Sequence, residues 1–86
     1  MNDEGKKIEF TSHAEEKLSR LKEIGVTRRK ILKTVRDPDK TVDGRYGRKI
    51  AQTLLREDLI LRVVYEEIEE KITIVTVYPG KRRRYE

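Results

Sequence analysis

Leu59-Ile60-Leu61-Arg62-Val63-Val64-Tyr65, followed after Glu66 to Glu70 by Lys71-Ile72-Thr73-Ile74-Val75-Thr76-Val77-Tyr78, decides the fold. The first run is the most apolar in the chain, as a central strand should be. The second is rich in β-branched residues, which suit a pleated surface. The acidic stretch between them reads as a turn. Upstream, Lys49 to Arg56 alternates, with Ile50 and Leu54 on one side and Ala51 and Leu55 on the other. Glu57-Asp58 turns the chain into the central pair. Thr41-Val42 opens a further strand before the turn-rich stretch Asp43 to Gly47. Downstream, Pro79-Gly80 reads as another turn, and Lys81-Arg82-Arg83-Arg84-Tyr85-Glu86 closes the chain.

Before Pro38 the hydrophobic period changes from strand-like to helical. Ser12-His13-Ala14-Glu15 fits a capping box, and Ala14, Leu18 and Leu21 follow as an amphipathic stripe. Gly25 is a natural stop. Thr27 reads as the cap of a second helix, with Val26 and Ile31 as its hydrophobic staple and Ile31, Leu32 and Val35 as its buried face. Asp37-Pro38 ends it, because a residue before proline is pushed out of helical space. Lys7-Ile8-Glu9-Phe10 alternates and reads as a short strand. The order is β-α-α-β-β-β-β, an α+β fold with two helices packed on one face of an antiparallel sheet. The expectation is one domain over residues 1–86, with residues 1–6 and 83–86 flexible.

The chain has 86 residues, 35% hydrophobic and 43% charged, which allows one small domain with a thin core. No window approaches the roughly 18 consecutive apolar residues of a membrane span. The polar start Met1-Asn2-Asp3-Glu4 is no signal peptide, so a cytoplasmic protein without membrane contact is expected. Cysteine is absent and His13 is the single histidine, which excludes disulfides, thiolate or histidine metal cages and a cysteine nucleophile. No G-x-S-x-G surrounds a serine, and no Gly-rich phosphate loop is present. Neither a metal nor a cofactor is expected. Gln52 and Asn2 are the only side-chain amides, while Lys, Arg, Glu and Ile are abundant, a composition suited to a hot environment (a thermophile). The formal net charge of +5 points toward a polyanionic partner, most often nucleic acid, or else to a solvated surface with a modest basic excess.

Phe10-Thr11-Ser12-His13-Ala14 at the head of a helix, a short second helix ending in Asp37-Pro38, and the paired strands Leu61 to Tyr65 and Val75 to Tyr78 together resemble a known group. It is a domain-of-unknown-function family of small stand-alone proteins and toxin modules with an F-[ST]-x-H-A opening, grouped with the RelE-like and BrnT-like toxin fold. The resemblance runs from Ile8 onward. Lys17 stands where such sequences often carry arginine. The resemblance implies RNA as substrate, metal-independent cleavage through a 2′,3′-cyclic phosphate, and a protein antitoxin as partner. Of the site residues of that fold, strand-end Tyr78 and the basic residues near it match by position on the meander.

Five groups of residues carry candidate chemistry. His13, near a helix start with Lys17 one turn on, could serve as a general base toward a ribose 2′-hydroxyl, or could pin the helix to a neighbouring strand. Helix two carries Arg28, Arg29, Lys30, Lys33 and Arg36 without an acid, either a phosphate or acidic-partner face or a solvated one paired to Glu66 to Glu70. Arg45, Tyr46, Arg48 and Lys49 lie among glycines, an arrangement that lets a ring stack while cations hold phosphates; an ordinary charged hairpin is the alternative. Arg62 is the one charge in the most apolar strand. It would either neutralise a pentacoordinate phosphate, with Gln52 or Thr76 nearby, or pair with a helix acid. Lys81, Arg82 and Arg83 begin a basic arm after Tyr78. The catalytic set read from this is His13, Arg48, Arg62 and Tyr78. The nucleic-acid contacts are Arg28, Arg45, Tyr46, Lys49, Lys81, Arg82 and Arg83. The rival readings are a non-catalytic basic module for nucleic acid or a partner protein, and a structural subunit marked by an exposed apolar patch.

Overall fold

A computed structural model describes residues 6–85. Of the segments expected to be flexible, residues 1–5 and 86 lie outside the described residues. Lys6 forms an ion pair with Glu67, and Arg82–Arg84 make a 3₁₀ turn.

Strand β1 (Lys7–Phe10) leads into helix α1 (Ser12–Leu21), and a 3₁₀ turn (Lys22–Ile24) leads to helix α2 (Arg28–Arg36). Four strands follow: β2 (Lys40–Asp43), β3 (Lys49–Arg56), β4 (Leu59–Ile68) and β5 (Lys71–Lys81). They form one five-stranded sheet in the order β1-β5-β4-β3-β2. The fold is α+β, as the change of period implied. The sheet, however, is mixed and not antiparallel throughout. Strand β1 runs parallel to β5, Phe10 beside Ile74, while every other neighbour pair is antiparallel. Alternation in Lys7–Phe10 marks a strand but carries no information about its neighbour. The direction follows from the path of the chain: α1 and α2 bring it back to the end of the sheet where β1 leaves, so β2 runs opposite to β1, and three further reversals through β3 and β4 bring β5 parallel to β1.

Both helices lie on one face, over a core of Ala14, Leu18, Val26, Ile31 and Val35 against Ala51, Leu61, Val63, Tyr65, Ile72, Ile74 and Val77. Pleating makes this a one-sided core. Ala51, Val63 and Val77 are register partners facing the helices, so the next row along, Gln52, Arg62 and Tyr78, must face the other way.

Three boundaries differ from the sequence reading. The cap of α1 is Thr11 and not Ser12, so no capping box forms with Glu15. The Thr11 hydroxyl accepts from the Ala14 N–H at 3.0 Å and donates to the Val75 carbonyl at 2.8 Å. One side chain thus ends the helix and ties it to β5. Strand β4 runs on to Ile68, leaving only Glu69 and Glu70 as the turn. Strand β5 continues through Pro79 and Gly80 to Lys81. Proline is tolerated there because β1 covers only Lys71 to Ile74, leaving that side of β5 without a strand to receive an N–H bond. Thr27 does cap α2, accepting from the Lys30 N–H at 3.1 Å, and Gly25 ends the preceding turn at φ 93°, which glycine adopts without strain. No helix among the described residues is long and apolar enough to cross a membrane.

Candidate nucleic-acid interface on the open sheet face

The face of the sheet away from the helices carries Lys40 and Val42 from β2, Ile50, Gln52 and Leu54 from β3, and Ile60, Arg62, Val64 and Glu66 from β4. Strand β5 adds Thr76, Tyr78 and Gly80. Arg62 stands near its centre. Its Nε–H donates to Gln52 Oε1 at 3.1 Å and its Nη1 to the Tyr78 hydroxyl at 3.0 Å. The Tyr85 ring lies against the guanidinium, 4.1 Å from Cζ to ring centroid. All three partners are neutral. Among the described residues no carboxylate pairs with Arg62, so the helix-acid alternative fails.

A half-buried guanidinium held by neutral groups keeps its full charge and most of its donors. Of five N–H groups, two are used by Gln52 and Tyr78, and the remaining ones are available in a fixed planar fork. Such a fork matches two oxygens of a phosphate.

Tyr85 reaches this site because the chain turns back after β5. The Arg82 N–H donates to the Asp58 carbonyl at 2.6 Å, the Tyr85 N–H donates to the Arg82 carbonyl at 3.0 Å, and Lys40 Nζ donates to the Tyr85 carbonyl at 3.0 Å. The ring packs on Gly80, where a Cβ would collide with it. Ile60, the register partner of Gly80, is 4% exposed although no helix covers this face. Sequence reading missed Tyr85 as a site residue. The available signal was Gly80, a glycine without positive φ, whose missing side chain makes room for a ring five residues later.

At the other end of the face, Asp43, Arg45, Tyr46 and Arg48 surround Ile50 and Val64 in a groove of about 560 Å³. Tyr46 is 84% exposed and sits at φ 60°, in the left-handed region. That conformation costs a tyrosine on the order of 1–2 kcal/mol. The strain is held by the Gly44 N–H on the Arg48 carbonyl at 2.8 Å. The result is a ring presented to solvent with the Arg48 guanidinium 5.8 Å from its centroid.

Arg48 itself is engaged: its Nε donates to Glu66 Oε2 at 2.9 Å. It shares the face with Arg62 but lies about 13 Å along the strand from Gln52, at roughly 3.3 Å per residue. Lys49 is an ion-pair partner of Asp43 at 3.6 Å. Arg28, on α2, makes a two-point contact with Glu15 at 2.8 and 3.2 Å and lies 4.5 Å from the Phe10 ring. Hydrogen bonding to Glu15 raises the Arg28 pKa above its ordinary value, so it stays charged at any working pH. Among the described residues this is the ion pair seen for α2, made by Arg28 alone, and none of its cations pairs with Glu66 to Glu70. Glu66 and Glu67 are taken by Arg48 and Lys6. Lys81, Arg82 and Arg83 line the exit from β5, and Lys81 and Arg83 are exposed.

His13 is exposed on α1, in the helical layer, and forms no side-chain hydrogen bond or ion pair with the described residues. The structure therefore brings Arg62 and Tyr78 together, places Arg48 on the same face, and leaves His13 apart from them. Pinning the helix to a strand is the work of Thr11. His13→Ala should change stability by less than about 0.5 kcal/mol, whereas Thr11→Val should cost about 1–2 kcal/mol through the lost cap. Equal melting temperatures for the two variants would remove Thr11 from that role. Among the described residues no group of three or more His, Asp or Glu side chains is placed to hold a metal. The chain matches no protein-family model, no curated protein and no solved structure.

Proposed function

We propose that this chain binds single-stranded RNA across the open sheet face, as a protein of the RelE-like toxin type would. The observation that carries the reading is Arg62. It is a central, half-buried cation with neutral partners only, between an exposed aromatic loop at one end and a stacked tyrosine at the other. Aromatic rings beside backbone-tracking cations are the means by which single strands are held without base pairing. Cations Arg45 and Lys40 on the same side extend the positive track, whereas Lys81, the last residue of β5, alternates onto the helix side.

Metal-independent cleavage is the second reading, and the Tyr78 hydroxyl beside Arg62 favours it. The 2′-oxygen would bond to phosphorus, its proton passing to solvent, as the bond to the 5′-oxygen breaks. Tyr78, whose oxygen accepts from Arg62, keeps its own O–H to protonate the leaving oxygen. Arg62 would stabilise the phosphorane charge. A protein antitoxin belongs to the same reading. The basic face of α2, where Arg29, Lys33 and Arg36 surround the half-buried Leu32 with Asp37 as the one acid at its end, supports an acidic partner there.

Binding is tested by fluorescence anisotropy with a labelled single-stranded RNA across a salt series. Four to six phosphate contacts at about −0.7 each predict a slope of roughly −3 to −4 in log K against log salt. Absence of binding at low salt, or an affinity indifferent to salt, would overturn the reading. Incubation of end-labelled RNA in EDTA separates cleavage from binding alone.

A further inference from the structure

Beside Arg62, between the start of β2, the middle of β3 and the C-terminal turn, lies a pocket of about 270 Å³. It is below the roughly 300–1,000 Å³ of drug-sized sites. Its walls include Asp39, Lys40, Gln52, Leu54, Ile60 and Tyr85. Leu54 and Ile60 give an apolar surface, and Tyr85 gives an aromatic one. A small flat heterocycle suits these walls.

The polar groups are fixed, and their free valences can be counted. A guanidinium can only donate, so Gln52 must turn its oxygen to Arg62 and its N–H₂ away. Asp39 Oδ2 accepts from the Leu54 backbone N–H at 2.8 Å and the Thr53 hydroxyl at 3.4 Å, leaving Oδ1 with both lone pairs. The Asp39 backbone N–H donates to the Gln52 carbonyl at 2.8 Å, which holds the two residues side by side. The pocket thus offers a charged acceptor next to an amide donor. Uracil presents one N–H between two acceptors, and adenine and cytosine each present a single amino donor beside acceptors. Guanine alone presents two adjacent donors, N1–H and the 2-amino group, next to the O6 acceptor.

The geometry points to a guanine-binding pocket, in which Asp39 Oδ1 accepts from N1–H and the 2-amino group, the Gln52 amide donates to O6, and the base stacks on Tyr85. The inference rests on the RNA reading of this face and adds base preference to it: the strand whose phosphate lies on Arg62 places a guanine in this pocket.

The test is titration of the ¹⁵N-labelled full chain with GMP, AMP, CMP and UMP, followed through the Gln52 side-chain N–H₂ and the Leu54 and Tyr85 backbone N–H signals. GMP is expected to shift these signals and to bind about tenfold or more tighter than AMP, since hydrogen bonds to a carboxylate are among the stronger ones. Asp39→Asn keeps an oxygen for the Leu54 N–H but presents N–H₂ to the base. It should lower GMP affinity to the AMP level while leaving AMP unchanged. Equal binding of all four nucleotides, or GMP shifts confined to the Arg45–Arg48 loop, would overturn the pocket. An oligoadenylate run on the same protein separates the two levels. Salt-sensitive oligoadenylate binding without a GMP preference removes the pocket and keeps the RNA reading. A GMP preference without oligonucleotide binding removes the RNA reading and keeps the pocket.

Discussion

Arg62→Ala is expected to weaken single-stranded RNA binding by about ten- to a hundredfold, the loss of a charge-assisted two-point contact. The slope of log K against log salt should become shallower by about 0.7, the share of one phosphate. Any cleavage should fall by about 10²–10³, as when one donor to a developing oxyanion is removed. Arg62→Lys is the informative companion. It keeps the charge and so keeps the salt slope, but it loses the planar fork that matches phosphate oxygens and stacks on Tyr85. Its affinity should lie well below that of the unchanged chain at every salt concentration. Folding should hold in both variants, because shortening Arg62 on this helix-free face opens the buried Gln52 and the half-buried Tyr78, so that their freed groups reach water. Native-like melting of both variants, with lost binding in Ala and an unchanged slope in Lys, is the expected pattern. Full affinity in Arg62→Ala would remove Arg62 from the interface and leave the Arg45–Arg48 loop as the remaining centre.

Arg62 was legible because a charge inside an apolar strand demands an explanation. Gln52 as its neighbour was legible too, once β3 and β4 were read as a hairpin. The pairing with Tyr78 depends on the β4–β5 register, which a bulge between Val64 and Tyr65 shifts, so turn spacing alone does not supply it. Tyr85 and Asp39 were not legible. One arrives by a backbone turn after a strand that runs through Pro79-Gly80, and the other by bonds from β3 atoms to a residue that stands unmarked between the helix-ending Asp37-Pro38 and the strand at Thr41-Val42. His13 shows the opposite failure. A rare residue type at a helix start attracts attention, yet Thr11 next to it holds the bonds that fix the helix. Distant contacts of this kind depend on strand order, and strand order was the part of the fold that the residue pattern left open, as the parallel β1–β5 pair shows.

Ile74→Ala should be the most destabilising of the single changes considered. Ile74 is fully buried, faces Phe10 across the parallel pair and Tyr65 across the antiparallel one, and offers its carbonyl to the Thr11 N–H at 3.1 Å. It therefore sits where β1, β5 and the start of α1 meet. Truncating a buried isoleucine costs about 2–5 kcal/mol, the larger values arising where neighbours cannot close over the cavity. Strands paired on both sides of β5 resist such closure. At about 0.05–0.15 kcal/mol per residue, a chain of this length has roughly 4–13 kcal/mol in total. The change removes a large part of it. With about 4–8 °C per kcal/mol for a domain of this size, the melting temperature should fall by at least about 8 °C. Ile68→Ala is the control, the same chemical change at a residue 67% exposed near the β4–β5 turn, where less than about 0.5 kcal/mol is expected. Because the β1 pairing is short, loss of the Ile74 side chain should also free the α1 end early. Amide exchange in Lys7–Phe10 and the first turn of α1 should then rise before exchange in β3 and β4. Equal melting of the two alanine variants, or uniform exchange across the sheet in Ile74→Ala, would mean that the helical layer is not anchored through β5.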